Sequence, residues 1–198
     1  MRGVLSFVWW VLAVRGVLAL LFGLGAILVP DITLEALSLL FIVYALTNDK
    51  PTSTTGPLAV GATVYGGKGC SGCHGASGGG GSGPAMAGGE VVKTFPSPAE
   101  HVAWVAIGSE GWAKAGNKTY GATNKPVLAG AMPAWQDSLT PDELMAVILH
   151  ERTVFGAEKF DWTMWDTDFD ATLEKYAPDK VAEYRAVLDQ WKTTPPTA

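Results

Sequence analysis

The chain has 198 residues, 48% of them hydrophobic, and a net charge of −5, enough for one domain of ordinary size plus extras. No segment concentrates Lys and Arg, which argues against a nucleic-acid partner. Residues 157–198 hold nine acids against five bases, so four of the five net negative charges sit in that tail.

Val4 to Val29 is an almost unbroken apolar run, interrupted by Arg15. It is long enough to cross a hydrocarbon core of about 30 Å as a helix. Pro30 and Asp31 punctuate it, and Ile32 to Leu46 forms a second, shorter run that contains Glu35. A single span with Arg2 inside would place the rest of the chain on the outer side. A hairpin would return the chain to its starting side, with Glu35 available to pair the costly Arg15. The first run exceeds the apolar core of a cleaved signal peptide, and no small-x-small site follows it cleanly. Trp9-Trp10, Arg15 to Gly23, Pro30, Ile32-Thr33 and Tyr44-Ala45-Leu46 resemble the first two membrane helices of the HdeD-like (acid-resistance) membrane proteins, which favours the hairpin. We therefore expect a membrane anchor of one or two helices over residues 1–47. A polar, Pro/Gly-punctuated linker follows over residues 48–57.

Pro57 to Tyr65 can begin a short helix. Cys70 and Cys73 are the only cysteines, and His74 follows directly. Cys-x-x-Cys-His is the haem attachment pattern. No second Cys/His pair completes a zinc site, and the βαβ surroundings of a redox dithiol are absent. Two thiols add to the haem vinyl groups, and the two-residue gap puts both near one edge of the ring. The imidazole of His74 then falls over the iron as proximal ligand.

Gly75 to Gly89 is too rich in Gly and Ser to be anything but loop. Ser97-Pro98-Ala99-Glu100 is a capping box that opens a helix through Val105, stopping near Gly108. Trp104 and Trp112 flank that turn and read as filler for a small core, with donation to a haem propionate as the sharper alternative. Thr140-Pro141-Asp142-Glu143 repeats the box and opens a helix with Leu144, Val147 and Ile148 at helical spacing.

Candidates for a second axial ligand are Met86, His101, Met132, Met145 and His150. Met132 precedes Pro133 in a loop ahead of the capped helix, where a side chain can point inward without belonging to a helical face. Met145 reads as helix core, Met86 as packing on the ring, His101 as a polar surface or helix-face residue and His150 as helix packing. Lys68, Lys93, Lys114, Lys118 and Lys125 read as solvated surface. Short helices joined by long loops normally argue against a domain; a large buried cofactor that supplies the missing core removes the objection.

Residues 58–156 resemble the class I (mitochondrial-type) cytochromes c, in the style of short bacterial monohaem domains. Gly61 and Tyr65 match the small and aromatic positions of the N-terminal helix. Cys70, Cys73 and His74 match the haem motif, Met132-Pro133 the distal methionine loop, and Leu139 to Arg152 the C-terminal helix. Gly83-Pro84 matches the point where a proline carbonyl accepts a hydrogen bond from the proximal imidazole. His150 departs from the pattern, since the family usually has an aromatic residue there. The resemblance implies an all-α fold around one haem c, bound covalently through Cys70 and Cys73. It also implies an iron ligated by His74 and Met132, and a fairly high reduction potential.

The resemblance further implies haem attachment on the outer side of the bacterial cytoplasmic membrane, with the domain facing the periplasm or the cell exterior. The expected role is a membrane-anchored carrier of single electrons in a respiratory chain. Its expected partners are a quinol-oxidising complex, a terminal oxidase, or both. The alternatives are a catalytic or gas-binding domain with an open iron position, and a subunit that serves mainly in assembly. In the tail, Phe160, Trp162, Met164, Trp165 and Phe169 interleave with aspartates, and Val181, Tyr184, Leu188 and Trp191 share one helix face. That pattern packs on its own domain or docks on a neighbouring subunit through aromatic anchors.

Overall fold

The computed structural model describes residues 56–196, within a unit that runs from Thr52 to Ala198. The predicted anchor, its HdeD-like resemblance and nearly all of the linker lie outside the described residues. Among the described residues, no helix is long and apolar enough to cross a membrane.

Helix α1 (Pro57–Gly67) and helix α5 (Pro141–His150) both begin with proline, whose fixed φ and missing N–H suit a first helical turn. At α5 the capping box is complete: the Thr140 hydroxyl accepts from the Glu143 N–H at 3.2 Å, and the Glu143 carboxylate accepts from the Thr140 N–H at 2.9 Å. The two helices pack together, and Gly61 lies at their closest approach. A Cβ on Gly61 would stand 2.1 Å from the Ala146 carbonyl oxygen, so only glycine admits this packing. The Tyr65 ring lies 5.7 Å from the His150 ring, and Phe155 closes edge-on to Tyr65 at 4.9 Å. His150 is thus a packing residue, and burial holds its imidazole below its ordinary pKa.

Between these helices the chain forms α2 (Cys70–His74), α3 (Glu90–Thr94) and α4 (Pro98–Lys114). Helix α4 departs from expectation at both ends. Ser97 accepts from the Glu100 N–H at 3.4 Å, but Glu100 sends no bond back to Ser97, so the predicted box is only half made. The helix does not end near Gly108. It kinks there (φ 64°, ψ −179°) and runs on to Lys114. A Cβ at Gly108 would fall 2.6 Å from the Met132 carbonyl oxygen, so the kink is where the methionine loop presses in. A two-residue antiparallel ladder, Thr119–Tyr120 (β1) with Lys125–Pro126 (β2), is the small exception to the all-α expectation.

The predicted C-terminal helix through Arg152 also changes character. After His150 the backbone widens into a π-helical turn, Glu151–Phe155, that leaves Glu151 and Arg152 buried. Arg152, 0% exposed, donates through Nε and Nη2 to the two Glu158 carboxylate oxygens at 2.7 and 2.6 Å. Its remaining bonds go to the carbonyls of Phe95 and Pro96. This forked arrangement, with every guanidinium nitrogen hydrogen-bonded, is the form in which a guanidinium tolerates burial.

The tail folds back as α6 (Trp162–Asp166), α7 (Phe169–Tyr176) and α8 (Val181–Thr193). Helix α7 packs on α4 and α8 on α5. Trp165, Phe169, Leu173, Tyr184 and Leu188 join the same hydrophobic cluster as Val102, Leu144 and Ile148. Each such side chain contributes roughly 1.5–3 kcal/mol on burial. Trp165, Phe169, Tyr184 and Trp191 are therefore buried in their own domain, with Phe160, Trp162 and Tyr176 partly buried against the same core. Arg185 ties the tail helices together, donating to Asp170 at 2.8 Å and to Asp166.

Candidate functional site

Helix α2, the loop after it, α3, α4, the methionine loop and α5 surround a cavity of about 450 Å³. That is within the range of roughly 300–1,000 Å³ for sites that enclose a small-molecule ligand. Its walls are mainly apolar and include Met86, Val91, Phe95, Trp104, Leu139 and Val147.

Cys70, Cys73 and His74 reach this cavity from one short helix. The Gly-rich stretch wraps around that helix because its amides find partners there. Gly80 N–H donates to the His74 carbonyl at 2.8 Å, and Gly83 N–H to the Cys73 carbonyl at 2.9 Å. That wrapping puts the Pro84 carbonyl oxygen 2.8 Å from His74 Nδ1. A carbonyl can only accept, so Nδ1 carries a proton, and in the neutral ring the lone pair is then on Nε2, the form of imidazole that binds a metal. The Cys70 thiol is pushed up to about 12, by burial first and by the Glu151 carboxylate second, so it is neutral near neutral pH.

Met132 lines the same cavity from the loop ahead of α5. The residue that fixes this loop is Ser109, just past the kink. Its N–H donates to the Met132 carbonyl at 2.9 Å, and its hydroxyl accepts from the Met132 N–H at 2.9 Å. Trp135 N–H adds bonds to the carbonyls of Val105 and Ala106. Nothing in the Gly-Ser dipeptide announces this role, because the local pattern predicts the end of the helix there. We expect Ser109→Ala to leave the Met132 amide without its side-chain acceptor and to cost about 1–3 kcal/mol. The checking measurement is the midpoint of chemical denaturation.

Of the other predicted candidates, Met86 is buried in the cavity wall and Met145 is fully buried core outside it. Trp112 spends its indole N–H on the Thr119 carbonyl at 3.0 Å, and Trp104 stacks on Tyr120 at 4.0 Å. Lys93 and Lys114 pair with Glu90 and Glu110, while Lys125 lies at the cavity. His101 requires a correction. It is no surface residue but 2% exposed and part of the cavity wall. The first half of α4 is covered by α5 and the tail helices, so it has almost no solvent face. His101 stacks flat on Phe95, with centroids 4.8 Å apart, and its Nε2 lies 3.2 Å from Glu151 Oε2.

Three buried polar atoms in the cavity wall have no partner among the described residues: Thr94 Oγ1, His101 Nδ1 and Trp135 Nε1. Buried polar atoms are seldom left unpaired. An apolar macrocycle edged with carboxylates fits this wall: hydrophobic over most of its area, donors at a few points, two thiols and an imidazole at one side.

Residues 58–150 match the family model described as Cytochrome c. Neither the curated proteins nor the solved structures contain a significant match to the chain. The match and the cavity lead to one conclusion: the chain carries a cytochrome c domain, a haem-based electron-transfer module, whose haem c is bound covalently through Cys70 and Cys73.

Proposed function

We propose that this protein is a membrane-anchored monohaem carrier passing single electrons along a bacterial respiratory chain. In this reading it works between a quinol-oxidising complex and a terminal oxidase, as a fixed subunit of one of them. Its haem domain faces the periplasm or the cell exterior. The observation that carries the reading is that His74 and Met132 line one cavity, with His74 Nε2 left free by the bond to Pro84.

Bound there, haem supplies an iron that gains and loses one electron. The residues of the chain hold that iron through an imidazole and a thioether, keep water from it and shape its potential. His74 and Met132 are the metal ligands in this proposal, and Pro84 orients the imidazole. Two strong ligands leave no open position for a substrate, which favours a carrier over an enzyme.

Residues 1–47 act as the anchor, 48–57 as the linker, 58–156 as the haem domain and 157–198 as its packed tail. The apolar run from Val4 to Val29 supports the anchor. Tethering the haem beside its partner raises its effective concentration without a new contact.

Fractionation of native membranes tests the proposal. We expect the haem-stained protein to resist salt extraction, to come off with detergent and to co-purify with subunits of a respiratory complex. Replacing residues 1–47 with a cleavable export signal is expected to move the haem to the soluble periplasmic fraction. Full-length protein found soluble would refute the anchor, and purification from mild detergent without any redox partner would refute the fixed-subunit role.

A further inference from the structure

We propose that the buried His101–Glu151 pair is a proton site of this electron carrier, taking up one proton when the domain accepts an electron and releasing it when the electron leaves. The inference rests on the cytochrome reading and goes beyond it, because electron transfer alone requires no buried acid or base.

Two elements far apart in sequence build the pair. His101 comes from the first half of α4, and Glu151 from the π-helical turn after α5. Their side chains meet at 3.2 Å, with 2% and 5% of each residue exposed, and both line the haem cavity. Glu151 is the one carboxylate among the described cavity-lining residues. The neighbouring cation does not neutralise it. Arg152 is already bound to both oxygens of Glu158 and to two carbonyls. His101 Nδ1 has no partner among the described residues. Burying an imidazole and a carboxylate is costly, and aliphatic side chains would fill the same space more cheaply.

The surroundings leave the pair as the place for a proton. Tyr65 on α1 lies in the field of Glu151 but is pushed up to about 12, chiefly by burial, so it stays neutral. Cys70 on α2 also lies in that field and becomes a thioether once haem is attached. His150 on α5 is depressed by burial, against the pull of Glu151. Glu158 beyond the turn is consumed by Arg152, and Tyr120, stacked on Phe95 at 5.9 Å, is pushed up by burial and stays neutral. His101 itself is held below its ordinary value by burial, with Arg152 acting the same way, while the bond to Glu151 opposes both. A His and a Glu in contact titrate as one unit and share macroscopic values.

An electron arriving in the cavity adds a negative charge beside this unit in a medium that screens poorly. The reduced domain therefore binds a proton there more tightly than the oxidised one. Solvent supplies the proton, one N–H bond forms on the His101 imidazole beside the Glu151 carboxylate, and the net buried charge is unchanged. On oxidation the same bond breaks and the proton returns to solvent. By linkage, the proton must affect the electron as much as the electron affects the proton.

The test is an equilibrium redox titration of the full-length holoprotein in detergent, from pH 5 to 9. We expect the midpoint potential to fall as pH rises, with a limiting slope of about 59 mV per tenfold change in proton concentration for one electron. Glu151→Gln and His101→Gln are expected to remove most of that slope while the haem spectrum persists. If a variant fails to fold, imidazole nitrogen NMR of the wild-type protein decides. His101 should show different protonation in the reduced and oxidised states at one pH. A flat wild-type potential would overturn the proposal. So would a slope that survives both substitutions, which would assign the proton to the haem carboxylates, or the same His101 protonation, read from its pH titration, in the two states. A protein without covalent haem would instead sink the cytochrome reading itself, so the two failures are distinguishable.

Discussion

Replacing Cys70 and Cys73 together with alanine is expected to remove the native fold of the haem domain along with its colour. The chain surrounds a cavity of about 450 Å³ with apolar side chains. Left unfilled, such a space costs on the order of 24 cal/mol per Å³, or roughly 10 kcal/mol in all. That is comparable with the whole stability of a typical domain, about 5–15 kcal/mol. Partial collapse would recover part of the cost at the expense of native geometry. Acid–organic extraction should strip all haem from the double variant, and its circular dichroism should show no cooperative thermal transition near that of the wild type. An unchanged transition without haem would mean that the chain's own side chains, tail included, are sufficient as a core.

Met132→Ala should act on the iron and spare the fold. The Ser109 bonds to Met132 are made by its backbone, so truncating the side chain leaves the loop in place. On the proposed ligation by His74 and Met132, the thioether is then missing, and a position on the iron opens to water or an added ligand. We expect the sulfur–iron charge-transfer band of the oxidised protein to vanish and the reduced protein to bind carbon monoxide. The potential should drop on the order of 0.1 V, within the roughly 0.8 V over which axial ligands set haem potentials. An unchanged spectrum would remove Met132 from the ligand set and turn attention to Met86, which also lines the cavity.

The tail shows how a local pattern can be right about composition and open about its partner. Its interleaved aromatics and aspartates signal a face to be buried, but say nothing of what buries it. In the fold, Trp165 and Trp191 pack 5.4 Å apart within the same core that holds α4 and α5. Residues 157–196 thereby complete the cover over the haem domain. Trp165, Phe169, Tyr184 and Trp191 are buried there, while Phe160 and Trp162 are only partly covered.

What the amino-acid string determined unaided were features written in adjacent residues. Cys70, Cys73 and His74 specify haem attachment because the reacting groups sit on one turn. Pro141 under the Thr140–Glu143 box specifies a helix start because each partner is within four positions. The tertiary structure alone decided the rest, and in each case the cause is a contact between distant segments. The kink at Gly108 exists because the methionine loop presses on α4, and Ser109 acquires its role only through that contact. His101 is buried because α5 and the tail helices cover α4, leaving no helical period to betray an inward face. Glu151 and Arg152 turn inward because the backbone widens to a π-helical turn, which shifts every later side chain off the register that an α-helix predicts.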